Sequence, residues 1–136
     1  LGVKLEVVLA DVCRCISEGF RDGAPQSHLY WRLSPIDIDR DTALPIALLL
    51  SESLSECMGH VCDQPYQRRI DVALTRLDSD EAELSIRDNC YQSADLAKGV
   101  LQDNPLPHRF ALRSGANLRV ADAPHFSLQL TFPIPV

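Results

Sequence analysis

The chain has 136 residues, 46% of them apolar and 24% charged, which is enough for one domain with its own core and too apolar for a disordered segment. Its net charge of −6 excludes duplex DNA and anionic membrane as main partners, because both call for a positive face. The longest apolar run, residues 44–50, is far short of the ~18–20 residues needed to cross a bilayer.

The first element is predicted as a helix over residues 3–18. Leu5, Val8, Leu9, Val12 and Ile16 keep an i, i+3, i+4 apolar stripe, and Gly19 can stop it. "RDGAPQS" reads as a loop. "HLYWRL" and "IDID" read as strands, a hairpin broken at Ser34-Pro35. A long helix is expected to start near Asp41 or Thr42, both capable caps, with Pro45 in its first turn, and to run to about Cys62.

Two strands follow. "RRIDVALTRL" places Ile70, Val72, Leu74 and Leu77 inward, and "AELSIRDN" alternates Leu84 and Ile86 with polar neighbours. "DSDE" between them makes the pair an antiparallel hairpin. "SADLAKGVLQ" is expected to form a short helix, and "DNPLPHRFALRSGA" at most two further helical turns. "NLRVAD" and "HFSLQLTFP" form a closing hairpin. Hairpin strands with helices between them indicate an α+β fold: a two-layer sandwich in which one mixed, mainly antiparallel sheet of about five strands is covered on one face by helices.

Five cysteines stand at 13, 15, 57, 62 and 90 with no CxxC pair, which argues against a zinc knuckle or a thioredoxin site. Reduced thiols in a cytosolic protein are the simple expectation. Cys13 and Cys15 point to different faces of their helix and make a poor chelate. The start of the chain has no basic, apolar and small-residue secretory pattern, and it begins at Leu1 without methionine. Residues 1–136 are therefore expected to be a single domain cut from a longer protein.

Within "LLLSESLSECMGHVC", Glu52, Glu56 and His60 recur every fourth residue on one helical face. Three readings are open: a catalytic acid with a magnesium ligand, a metal site completed by His28, His108 or Asp88, or the wet side of a core helix. Like charges at i, i+4 repel by roughly 0.2–0.5 kcal/mol on an exposed helix, so a cation or a shared proton would relieve Glu52 and Glu56.

The element order and three local patterns resemble the ATP-binding catalytic domain of sensor histidine kinases, the Bergerat-type ATPase fold. The nearest branch carries E-L-x-x-N-A-x-x-H on its long helix. "SESLSECMGHVC" stands in that place, with Glu52 and His60 matching and Glu56 where the family has asparagine. "LSIRDNCYQ" resembles the strand and D-x-G-x-G loop, with Asp88 and Asn89 matching. "SGANLRVADAPHFSLQLTFP" resembles the final glycine turn and hairpin.

The resemblance implies that Asp88 would accept a hydrogen bond from the adenine amino group. It implies that Glu56 would stand at the Mg²⁺ position and that Glu52 would orient an attacking water. Asp88 has a second reading, as an acid at a strand end that fixes a turn through Asn89. The family's loop needs glycines where the backbone passes the base, and here Cys90 and Gln92 stand instead. Between Ser93 and Ser114 only Gly99 remains, so the phosphate-binding glycine segment is missing. The expectation is a degenerate domain with no nucleotide cofactor, acting in two-component signalling or phosphorelay through contact with a response regulator or a similar partner. It would bind neither nucleic acid nor membrane, and any dimer would form through segments outside the domain. The alternative is a working Mg-ATP-binding catalytic domain of a divergent sensor kinase.

Overall fold

The computed structural model describes residues 2–19, 28–59, 68–89, 115–121 and 126–135. His60, Cys62, Cys90, Gln92, Gly99, His108 and the short helix expected after Ser93 lie outside them. The described residues form seven strands and two helices in the order β1 (Gly2–Lys4), α1 (Leu5–Gly19), β2 (His28–Leu33), β3 (Asp37–Asp39), α2 (Arg40–Gly59), β4 (Arg69–Asp78), β5 (Glu81–Asp88), β6 (Asn117–Ala121) and β7 (Phe126–Pro133).

The main sheet has five strands in the order β2-β4-β5-β7-β6. β2 runs parallel to β4 and the other three pairings are antiparallel, so the sheet is mixed and mainly antiparallel, as expected. Alternation builds its two faces. Ile70, Val72 and Leu74 of β4, Leu84 and Ile86 of β5, and Phe126, Leu128, Leu130 and Phe132 of β7 are buried. The residues between them on β5 and β7 are polar, among them Glu83, Ser85, Ser127 and Gln129, and stay partly exposed. The buried face carries the helices. α1 contributes Leu5, Leu9 and Cys13, spaced by four, and α2 contributes Ile46, Leu49, Leu50, Leu54 and Cys57 to the same core.

Several expectations are corrected here. β2 and β3 form no hairpin: β2 joins the main sheet, while β3 pairs antiparallel with β1 in a separate two-stranded sheet. The break at Ser34-Pro35 thus separates two sheets, and Ser34 N–H donates instead to the Leu74 carbonyl. α1 begins after a short strand that its helical stripe conceals. α2 begins one residue before Asp41, and its cap is Asp39, whose carboxylate accepts from Thr42 N (3.1 Å) and Thr42 Oγ1 (2.8 Å). Pro45 consequently lies beyond the first turn, inside the helix. Leu77 is 47% exposed because the register of β4 shifts between Arg76 and Asp78, a bulge that breaks the inward alternation.

The turn entering β6 contains Gly115 at φ 67°, a left-handed conformation that side chains rarely adopt. No described helix is long and apolar enough to cross a membrane.

Candidate functional site

The two acids of the E-x-x-x-E stripe lie on the C-terminal half of α2, outside the core. Glu52 is half-buried and Glu56 is exposed, whereas Ser53, Leu54, Cys57 and Met58 turn inward. His60 lies outside the described residues, so the third member of the stripe is not placed. Among the described residues, no three His, Cys, Asp or Glu side chains gather as a metal centre would require.

Asp88 occupies a different environment. It is the last residue of β5, paired in register with Ile70 on one side and Phe126 on the other, and it is fully buried. A lone carboxylate there would carry a large desolvation cost. Arg68, just ahead of β4 and itself 2% exposed, offsets it. Its Nε donates to Asp88 Oδ1 at 3.2 Å and one terminal nitrogen donates to Oδ2 at 2.6 Å, a two-pronged pairing that suits a planar guanidinium.

The same terminal nitrogen donates to the Cys57 carbonyl in the last turn of α2. That carbonyl lies in the last described turn of α2, where positive charge is favoured and which contains no basic residue of its own. Arg68 therefore bonds to that turn and neutralises the acid together. The Cys57 thiol completes the ring. Burial, then the charge of Asp88 and a hydrogen bond to its carboxylate, push the thiol's pKa well up, so it stays protonated and inert. Cys13, buried on α1, is pushed up to about 12 by burial alone, while Cys15 is exposed, so only one of this pair is enclosed.

The backbone holds Arg68 in place. Its carbonyl accepts from His28 N at 3.1 Å, tying it to the start of β2. Next to it, Arg69 N donates to Asn89 Oδ1 at 2.6 Å, and Asn89 N returns a bond to the Arg69 carbonyl at 3.2 Å. Asn89 thus adds one rung to the β4–β5 ladder. On the opposite side of β4, the Arg69 guanidinium pairs with Asp71 and lies over the Tyr30 ring, 4.0 Å from its centre.

Sequence reasoning singled out Asp88 and Asn89 but missed Arg68 and Cys57. The adjacent arginines of "QRRIDV" were a faint signal, since the first precedes the strand and the second starts its outward-facing set. Alternation sets the first one on the inward side with Ile70, but nothing local pairs it with Asp88. An open groove between α1 and β2, lined by Val7, Ala10, Asp11, Arg14 and Trp31, includes none of the residues singled out from the sequence.

Both oxygens of Asp88 accept from the buried Arg68 guanidinium.

No family model and no curated protein matches the sequence. Solved structures do match the fold. The blue-light activated histidine kinase of Erythrobacter litoralis EL346 superposes with a TM-score of 0.78 at 16% identity, over 97% of this chain and 46% of that one. The histidine kinase domain from the same protein gives 0.81 at 16% identity, over 97% and 62%. The mycobacterial sensor histidine kinase MprB gives 0.69 at 17% identity, over 98% of both chains. The chain spans about half the length of the first of these. Its fold is that of histidine kinase catalytic domains.

Proposed function

We propose that this chain is a cytoplasmic signalling domain of a two-component system, built on the histidine kinase catalytic fold and working through protein contacts with its nucleotide site given up. The single observation that carries this reading is the buried Arg68–Asp88 pair: the aspartate that the resemblance assigns to the adenine already holds a guanidinium. Cys90 and Gln92, standing where the fold's nucleotide loop has glycines, agree with it. In this reading Asp88 and Asn89 fix the end of the sheet. Glu52 and Glu56 form an acidic flank on α2, and Glu56 has no magnesium to hold. The partner is a response regulator or a protein of similar role.

Calorimetric titration of the chain with Mg-ATP tests the reading. No saturable heat is expected up to millimolar nucleotide, whereas a receiver domain of the cognate response regulator should give a saturable isotherm. A micromolar, magnesium-dependent Kd for ATP would overturn it.

A further inference from the structure

Arg68 meets Asp88 as a ligand would. It enters from outside the β5 strand that carries the acid, presents a flat edge with two N–H donors, and is almost wholly enclosed. The cradle around it comes from two elements: the Asp88 carboxylate from β5, and the Cys57 carbonyl from the last described turn of α2, with the buried Cys57 thiol beside the carboxylate. One turn earlier on the same buried face of α2, Ser53 Oγ is buried with no hydrogen-bond partner among the described residues. A buried hydroxyl left unpaired costs free energy, and it shows that this face of α2 carries more polar capacity than its present neighbours use.

We propose that Asp88, Cys57 and the end of α2 form a binding site for a planar cation with two adjacent N–H donors, an amidinium or guanidinium, and that Arg68 is its resident ligand. The inference rests on the preceding reading for one point, that this is where the fold would otherwise meet a base. Its chemistry stands on the geometry alone. A carboxylate with its two oxygens in line with two donors selects a forked edge over a point charge, since a compact ammonium satisfies one oxygen well and the other poorly. The helix-end carbonyl adds a third acceptor and favours positive charge. An adenine edge, with one amino donor beside a ring acceptor, satisfies this set less well than a guanidinium does.

Removing the resident ligand and supplying it in solution tests the proposal. In the whole chain carrying Arg68→Ala, millimolar methylguanidinium should raise Tm saturably, by roughly 3–6 °C at about ten times its dissociation constant. The unaltered chain should show no such rise, its site being filled. Tetramethylammonium, a cation without N–H donors, should shift neither. A variant shift with methylguanidinium no larger than with tetramethylammonium overturns the proposal.

Should Arg68→Ala not fold alone, it is refolded from denaturant with and without methylguanidinium and followed by circular dichroism. Recovery only in its presence supports the site, and no recovery in either condition overturns it. Adenosine supplies a further arm: a larger Tm rise in the variant than methylguanidinium gives would overturn the assigned ligand class. These failures are separable from failure of the functional reading, which is decided by Mg-ATP binding to the unaltered chain.

Discussion

The energetic weight of Arg68 comes from what it would leave behind. Breaking a buried ion pair by deleting one partner costs about 3–5 kcal/mol, because a charge remains enclosed without its counterion. A domain this size is typically stable by only about 5–15 kcal/mol, so Arg68→Ala should lower the urea midpoint by a large part of its value. Replacing both partners by apolar residues of similar volume is often neutral. The double variant Arg68→Met with Asp88→Leu should therefore recover most of that loss, measured as coupling in a double-mutant cycle. If the double variant is as unstable as the single one, the pair is more than an offset charge. This balance was out of reach of a sequence reading. The alternation of β5 assigns Asp88 to the inward face, but its partner sits outside any regular element, twenty residues earlier in the chain.

At the level of elements, the start of α2 depends on a cap in which both the backbone N–H and the hydroxyl of Thr42 donate to one carboxylate. Asp39 accepts two bonds from Thr42, the side-chain bond foremost, and these hold its pKa below the ordinary 3.8. A carboxyl whose pKa is lowered by folding stabilises the fold above 3.8, and that contribution fades as the pH falls through its folded value. Asp39→Ala should accordingly lower Tm at neutral pH. The gap from the unaltered chain should narrow as pH drops below 4 and close at lower pH, as thermal melts across pH 2–7 would record. The start of α2 was nearly legible, because its apolar spacing and its acid and threonine were visible. The cap fell on Asp39 rather than Asp41 because the chain leaves β3 at that residue, and a pairing with the strand at the start of the chain is not a local signal. The apolar stripe of α1 was legible for a related reason: Leu5, Val8, Leu9, Val12 and Ile16 keep helical spacing whatever precedes them, although the fully buried set also takes in Cys13.

For the molecule as a whole, the layering followed from patterns with period two and period 3.6, and the hairpins β4–β5 and β6–β7 followed from turns between alternating strands. What the pattern did not contain was the place of β2. "HLYWRL" is a strand by composition, yet nothing in it selects a parallel neighbour across a whole helix, and its pairing partners were found only in three dimensions. The candidate site divides in the same way. Asp88 and Asn89 were recognisable from their order in the chain, whereas Arg68 and Cys57 reach them through tertiary packing alone.

The parallel placement of β2 sets an order of events. His28 lies opposite Arg69, so zipping this ladder must close a loop containing all of α2, while β4 and β5 meet across a two-residue turn. Chain closure of that size costs entropy before any reward, so the tight hairpin should assemble early and the edge strand should dock late. Native-state amide exchange gives the readout: deuterium should enter β2 at lower opening free energy than it enters β4 and β5. Equal protection across all three would mean that this sheet opens only as one unit.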